Sequence, residues 1–255
     1  MLNPNETREV VREKYGEMAK AAASCCGPSG GCGGEPSLAD IGYSAEQAAA
    51  IPEGANLGLG CGNPLAYAGV KPGETVLDLG SGAGIDAFLA AREVGPNGRV
   101  IGVDMTPAMV DRARANAAQG HYQNTEFRLG EIENLPVADE SVDVIISNCV
   151  INLSPEKAQV FGEAFRVLKP GGRLLVSDLV WLTAPPAEVR ASVEALVGCV
   201  AGASLKDDYL ELMREAGFDE VAVLAEASYG ADTCCGTPGA DQVASVKVRA
   251  VKTLR

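Results

Sequence analysis

The sequence predicts an α/β fold in which helices cover both faces of a parallel sheet. Two observations lead to this prediction. Strand-like apolar runs alternate with helix-compatible segments over residues 75–178, and strands separated by helices form parallel sheets with right-handed crossovers. A glycine-rich turn also follows the first of these strands at residues 80–84, at the sheet edge where doubly wound proteins bind ligands. We therefore expect a doubly wound, Rossmann-like core.

The elements of this core follow one another closely. We expect strands at residues 75–79, 99–103, 125–129, 142–147 and 172–178, and helices at residues 85–94, 107–118 and 155–168. The Lys-Pro-Gly-Gly segment at residues 169–172 ends the last of these helices, because proline and glycine rarely continue a helix.

Two further regions flank the core. Before it, residues 7–23 and 45–50 have helix-forming composition, and a loop rich in cysteine and glycine covers residues 24–34. After it, we expect helical stretches at 187–200 and 206–216 and a pair of strands at 220–227 and 243–251. We divide the chain into an N-terminal cysteine-rich extension (residues 1–72), the core (73–180) and a C-terminal α+β cap (181–255).

The composition limits the class of partner. The formal net charge of −13 over 255 residues argues against a basic surface for nucleic acid or anionic membranes. No apolar run reaches membrane-spanning length, and charged residues crowd the first segment, where a secretory signal needs an apolar stretch. We therefore expect a soluble, cytoplasmic protein that is large enough to build its core without disulfides.

The glycine-rich turn indicates the kind of ligand. Its glycines stand at Gly80, Gly82 and Gly84, a spacing that differs from the G-x-G-x-x-G dinucleotide motif. Asp78, just before the turn, would repel a pyrophosphate but attract the ammonium and sulfonium groups of S-adenosylmethionine (SAM). Asp104, at the end of the second strand, is placed to bind ribose hydroxyls. We expect a SAM site, and the alternative is an ordinary strand–turn–helix corner.

Three of the eight cysteines stand where the same ligand-binding edge is expected. Cys149 follows the strand at 142–147, and Cys61 lies in a glycine-rich loop that can fold over this edge. Cys199 belongs to the helical stretch after the core, which we interpret as a lid. Disulfide cross-links are rare in a reducing compartment, so free thiols are expected. Each cysteine, taken singly, is also compatible with a buried and inert side chain.

Other site chemistries have less support in the chain. His121 is the single histidine, so a histidine base or a Cys/His zinc site is poorly supported, and we expect this residue to be solvated. The C-x-x-C pairs typical of all-cysteine zinc sites are missing. Adjacent cysteines at 25–26 and 234–235 suit capture of a thiophilic ion or redox exchange, unless their clustering is accidental.

Several of these segments together resemble the arsenite methyltransferases. The resemblance spans residues 55–205 and is carried by residues 60–64, 77–84, 103–106, 130–136, 147–154 and 199–203. The glycine-rich turn is common to many SAM enzymes, including quinone C-methyltransferases. The sequence contexts of the three cysteines are the more specific part.

The resemblance implies roles for individual residues. Cys61, Cys149 and Cys199 would hold trivalent arsenic as thiolates, and Cys32 would pair with Cys61 during turnover. The residues that would line the SAM pocket are Asp78, Gly80, Gly82, Asp104, Met105, Glu131, Ile132 and Asn148. Arsenite or its glutathione conjugate would be the substrate and thioredoxin or glutathione the reductant, for arsenic detoxification. No metal cofactor is expected.

Two other functions stay open at this point. One is a SAM-dependent C- or O-methyltransferase of a small organic acceptor, in which the cysteines are incidental. The other is a non-catalytic thiol protein that binds or senses a metalloid. The Asp78, Gly80, Gly82 and Asp104 set argues against the second alternative, because a protein without catalysis has no need of a SAM site.

Overall fold

The structure is a computed structural model that describes residues 2–21, 38–39, 41–228 and 238–254. Cys25, Cys26, Cys32, Cys234 and Cys235 lie outside the described residues, and the predictions for them stay predictions. Over the described residues the helices are α1 (Pro4–Ala21), α2 (Ala45–Ala50), α3 (Leu65–Ala68), α4 (Ile85–Val94), α5 (Pro107–Gln119), α6 (Lys157–Val167), α7 (Ala187–Arg190), α8 (Val193–Val197) and α9 (Lys206–Glu215). The strands are β1 (Thr75–Leu79), β2 (Arg99–Asp104), β3 (Thr125–Leu129), β4 (Val142–Asn148), β5 (Leu168–Trp181), β6 (Asp219–Ser228) and β7 (Val243–Val251).

The strands form one sheet in the order β3-β2-β1-β4-β5-β7-β6. The strands from β3 to β5 pair in parallel, and β7 pairs antiparallel with both β5 and β6. The chain order reverses between β1 and β4, which is the switch point where doubly wound folds bind ligands. The predicted doubly wound α/β core is confirmed, and the predicted C-terminal strand pair extends the same sheet.

Two elements differ from their predicted bounds. β5 begins at Leu168 rather than at 172, because the Lys-Pro-Gly-Gly segment forms an irregularity within the strand and does not end it. The pairing with β4 shifts between Val142 and Val144, and the segment stays bonded to the end of the chain: Gly171 N donates to Lys252 O at 2.6 Å, and Lys252 N donates to Gly172 O at 2.9 Å. The stretch predicted as one helix over 187–200 is the pair α7 and α8. The break occurs because Ser192 adopts an extended conformation and its side chain caps the N–H of Ala195.

The core lies on both faces of the sheet. Ile145 of β4 packs on one face with Phe161 of α6, and Val144 packs on the other face with Phe88 of α4. This alternation follows from the two-residue period of a strand. Among the described residues, no helix combines the length and the apolar character needed to cross a lipid bilayer.

Candidate active site

The glycine-rich turn lies at the carboxyl end of β1, where the chain turns into α4. Gly80, Gly82 and Gly84 have φ angles of 64°, 51° and 101°, in the left-handed region that favours glycine. A Cβ atom on Gly80 would lie 2.4 Å from the side chain of Val150, whereas a Cβ on Gly82 would meet nothing within 4 Å. The turn is therefore closed by the polypeptide at Gly80 and open to a ligand at Gly82.

Three carboxylates surround this turn. Asp78 and Asp86 are buried, Asp104 is partly buried, and Asp78 Oδ2 has no hydrogen-bond partner in the described part of the chain. Burial, followed by the charges of Asp86 and Asp104, raises the pKa of Asp78 well above its ordinary value. Burial also raises the pKa of Asp104 and brings that of Asp86 to about 6. A ligand that carries positive charge would offset the cost of ionising these groups.

The arrangement fits SAM. Asp104 accepts hydrogen bonds from the N–H groups of Gly82 and Thr106, at 2.9 and 2.8 Å, and each carboxylate oxygen keeps a lone pair for a ribose hydroxyl. The unpartnered oxygen of Asp78 suits the cationic amino-acid end of the same molecule. The open backbone at Gly82 leaves space between these two groups.

Three other residues implied for the SAM pocket lie among apolar side chains or pair with the N-terminal helix. Met105 follows β2 directly and packs against a buried apolar cluster, and Ile132 is buried in the core. Glu131 pairs with two arginines of α1, with Arg12 at 3.0 Å and with Arg8 at 3.7 Å. Glu131 is therefore held by the N-terminal helix, and its contact with SAM stays a prediction.

Asn148 connects the carboxylates to the thiol side of the site. Its Nδ2 lies 3.1 Å from Asp86 Oδ2, 3.1 Å from the Tyr43 hydroxyl and 2.6 Å from Gly62 O. Its Oδ1 accepts a hydrogen bond from the N–H of Cys61 at 3.1 Å. One amide therefore fixes the position of the Cys61 loop relative to α4.

Cys61 and Cys149 are joined by a disulfide. The expectation that the three cysteines carry free thiols is therefore wrong for this pair. The physical reason is that the Cys61 loop and the end of β4 meet at one sheet edge, with 5.9 Å between the two Cα atoms, a normal separation for a disulfide. The implied partner of Cys61, Cys32, lies outside the described residues.

Cys199 joins the same place from a third part of the chain. It is buried in the turn after α8, and its Sγ donates to the carbonyl oxygen of Cys149 at 2.9 Å. Both residues belong to one apolar cluster, which also contains Val11 of α1 and Trp181 of β5. The structure thus brings together the three cysteines for which the sequence predicts a common site.

The backbone is strained at two of these cysteines. Cys149 has a φ of 56° and Cys199 a φ of 64°, which are left-handed values that residues with a Cβ rarely adopt. Cys199 follows a short helix, at a position that glycine or asparagine usually occupies. Such strain of about 1–3 kcal/mol per residue persists only where the surroundings enforce it, and it is concentrated at functional sites.

A buried carboxylate, Asp178, lies beside the sulfur atoms. One of its oxygens and the Sγ atoms of Cys61 and Cys149 all lie within 4.8 Å of one another. Asp178 accepts hydrogen bonds from Asn152 Nδ2 at 2.7 Å and from the Tyr209 hydroxyl at 3.0 Å. Burial raises its pKa to about 7, against the opposing effect of these hydrogen bonds.

Sequence reasoning does not identify Tyr43, Asp86 or Asp178 as site residues. Asp86 stands in the first turn of a helix, where an acidic residue usually needs no further explanation. Tyr43 lies far from the core in sequence and carries no motif. Asp178 is the last residue of a predicted strand and follows Ser177, which pairs with Asn148. Its place at the carboxyl edge is the one signal that could have found it.

Comparisons with known proteins identify the family of this chain. A family model described as a methyltransferase domain matches residues 70–217. An arsenite methyltransferase of Halobacterium salinarum is 54% identical over 232 residues, which cover 87% of this chain and 59% of that protein. A human arsenite methyltransferase is 40% identical over 152 residues, covering 56% of this chain and 40% of that protein. The chain therefore spans about two to three fifths of the length of these relatives.

Two solved structures are similar to this chain. CrArsM, an arsenic(III) S-adenosylmethionine methyltransferase from Chlamydomonas reinhardtii, superposes with a TM-score of 0.66 at 35% identity, covering 93% of this chain and 73% of that one. The [4+2]-cyclase SpnF superposes with a TM-score of 0.62 at 20% identity, covering 75% and 80%. The second likeness shows the fold alone.

The strain at Cys199 is testable by comparing two substitutions. Cys199→Gly is expected to be more stable than Cys199→Ala by about 1 kcal/mol, because glycine alone adopts a left-handed φ without steric cost. Urea unfolding measures the difference. The matched control is Ala191, which has a φ of −93°: there glycine is expected to be less stable than alanine. Equal stability of the two Cys199 variants would contradict the strain.

The burial of Asp178 predicts a pH-dependent stability. Its pKa is higher in the folded protein, about 7, than in the unfolded chain, so the folded state binds more protons and loses stability as the pH rises through this range. Asp178→Asn does not titrate and avoids this loss. Its free energy of unfolding is expected to rise relative to that of the wild type by at most about 4 kcal/mol between about pH 4 and about pH 7.

Urea unfolding of both proteins across this pH range measures the gain. Asp111→Asn, a substitution on the exposed surface of α5, serves as the control and should follow the wild-type pH dependence. Parallel curves for wild type and Asp178→Asn would show that the carboxylate titrates equally in the folded and unfolded states.

Proposed function

The chain belongs to the arsenite methyltransferases, a family of SAM-dependent methyltransferases, and from this premise we propose that it transfers a methyl group from SAM to trivalent arsenic held by Cys61, Cys149 and Cys199. The convergence of the three cysteines beside the glycine-rich turn carries the proposal. Val150, the residue after Cys149, packs directly against Gly80 of that turn. The sulfur atoms and the open backbone therefore face one region of the sheet edge.

Arsenic binding begins with reduction of the site. The Cys61–Cys149 disulfide occupies two of the three sulfur ligands, and the proposed reductant, thioredoxin or glutathione, supplies the two electrons that convert it, with two protons, to two thiols. Trivalent arsenic is soft and prefers thiolate ligands. Three thiolates bind it as a pyramid with the lone pair at the apex, and they release water from arsenite or thiol from its glutathione conjugate.

The chain's own residues then align the reaction. SAM, when bound, supplies a methyl group on a sulfonium sulfur. We assign Asp78 to its amino-acid ammonium, Asp104 to its ribose and the open backbone at Gly82 to close contact with the bound molecule. The three cysteines fix the direction of the arsenic lone pair toward the methyl group, so that positioning is the main catalytic contribution. No general base is required, because the attacking arsenic carries no proton.

Electrons balance through the thiols. The As–C bond would form from the arsenic lone pair as the bond between the methyl carbon and the sulfonium sulfur breaks and S-adenosylhomocysteine leaves, and this formally oxidises arsenic from the trivalent to the pentavalent state. Two cysteine thiolates return two electrons and leave as a disulfide, which restores trivalent arsenic. Cys32 is the proposed partner of Cys61 in this step. Thioredoxin or glutathione is the proposed reductant of this disulfide. We propose that the reaction takes place in the cytoplasm and serves arsenic detoxification.

Substitution of the cysteines tests the proposal. Cys61→Ser, Cys149→Ser and Cys199→Ser are expected to lower arsenite methylation at least about a hundredfold, because a hydroxyl does not replace a thiolate as a ligand of soft arsenic. SAM affinity should change little. The purified, reduced proteins are incubated with arsenite, SAM and a thiol, arsenic species are separated, and SAM binding is measured by calorimetry.

The outcomes separate the three functions considered from the sequence. Methylated arsenic formed by the wild type but not by the serine variants supports the proposal. Arsenic that stays bound and unmethylated indicates a metalloid-binding protein, and arsenite that stays free and unchanged indicates a methyltransferase of an organic acceptor. Serine variants that methylate arsenite at the wild-type rate would rule out the thiolate site.

A further inference from the structure

We propose that Trp181 positions the third thiolate, by tying the loop that carries Cys199 to the end of β5. This inference rests on the proposed function and concerns a residue that contacts neither SAM nor arsenic in it. Trp181 is the single tryptophan of the chain and is fully buried. It is therefore a positioning residue, and it also provides an intrinsic fluorescence signal beside the site.

Trp181 contacts both ends of the segment that follows Cys199, residues 200–204. Its indole Nε1 donates to the carbonyl oxygen of Val200, the residue after Cys199, at 2.9 Å. Its backbone N–H donates to the carbonyl oxygen of Ser204 at 2.9 Å, and it forms a β-bridge with Leu205. One residue of the sheet thus fixes the start and the end of the five-residue segment that follows Cys199 along the chain.

The loop is also fixed from the side of Cys149. A Cβ atom on Gly202 would lie 2.0 Å from the carbonyl oxygen of Asn152, so the loop rests directly on the backbone of the turn that follows Cys149. Asn152 in turn donates through Nδ2 to Asp178 Oδ1 at 2.7 Å and to Leu179 O at 2.6 Å. The turn is therefore tied to β5, two residues before Trp181.

The end of α8 sets the conformation of Cys199. Its φ of 64° is the left-handed value of a helix C-cap, and the cap is closed by hydrogen bonds from Cys199 N to Leu196 O and from Val200 N to Ala195 O, both at 2.9 Å. The contacts of Trp181 hold this cap against β5. Cys199 Sγ then lies 2.9 Å from Cys149 O.

The indole hydrogen bond can be removed without leaving its acceptor unpaired. Val200 O also accepts a hydrogen bond from the N–H of Ala203 at 3.2 Å, and this contact lies within the loop and moves with it. The bond to Ser204 uses the backbone of residue 181 and is retained. Trp181→Phe therefore releases the loop at one point. It also leaves a cavity in a fully buried position, which lowers the overall stability, so the variants are compared under conditions where all of them are folded.

The expected effect is specific to arsenic. Loss of one buried hydrogen bond is expected to raise the KM and the dissociation constant for arsenite about tenfold. The affinity for SAM should stay unchanged, and X-ray absorption of the arsenic-bound protein should report fewer than three sulfur neighbours. Gly202→Ala, which forces the loop away from Asn152 O, should show a larger loss of arsenite affinity.

Tyr122→Phe is the matched control. It also removes one side-chain hydrogen bond to a backbone carbonyl, from the Tyr122 hydroxyl to Ala50 O at 3.0 Å, on α5's side of the sheet. Its arsenite affinity and sulfur count should equal those of the wild type. If Trp181→Phe behaves like this control, the positioning role is wrong.

A measurement without arsenic separates this proposal from the proposed function. Under reducing conditions, the alkylation rate of Cys199, followed by peptide mass spectrometry, should rise in Trp181→Phe and not in Tyr122→Phe. An unchanged rate overturns the positioning role even in an enzyme that methylates arsenite. A wild type that neither binds nor methylates arsenite overturns the proposed function, and the alkylation rates then decide the positioning role by themselves.

Discussion

The hydrogen bonds of a single amide, that of Asn148, hold the two halves of the site in register. Its Nδ2 faces Asp86 on α4, and its Oδ1 accepts from the N–H of Cys61. Because Asn148 is the last residue of β4, and Cys149 follows it, the strand that presents one thiol also fixes the loop that presents another. A displacement at this amide would move the thiols and the carboxylates relative to each other.

Three carboxylates determine the electrostatics of the other half of the site. Asp78, Asp86 and Asp104 lie close enough for the charges of the latter two to raise the pKa of Asp78. An isolated protein gains nothing from such a group, because burial and like-charge repulsion both oppose ionisation. The arrangement becomes favourable when a cation binds, and SAM carries an ammonium and a sulfonium against one carboxylate, for a net positive charge. The electrostatic cost in the free protein is thus matched to the ligand.

Local sequence patterns predict the core because its elements are determined locally. The turn at Gly80–Gly84 follows an apolar strand, and both properties can be read from adjacent residues. The edge positions of Cys61 and Cys149 follow from the same reasoning, since carboxyl ends of parallel strands share an edge. The contacts that hold the loop of Cys199 join residues far apart in the chain, and no local pattern contains them.

The same distinction explains the errors at the site. Tyr43 and Asp178 take their roles from partners more than 25 residues away, Asp86 and Asn152 respectively. The sequence does not predict the disulfide, because the redox state of a compartment contains no information on the distance between two sulfur atoms. Compartment sets the average state of thiols, whereas geometry decides which pair oxidises.

The disulfide and the proposed arsenic site are two consequences of one geometry. Thiolates that share a single arsenic atom must approach one another closely, and sulfur atoms at such a separation are also placed to bond directly. A site that holds arsenic through Cys61, Cys149 and Cys199 therefore oxidises readily when arsenic is absent and a two-electron acceptor is present. Substrate and oxidation compete for the same sulfur lone pairs. In this view, the reductant that the methylation cycle requires also returns the resting protein to its arsenic-binding state.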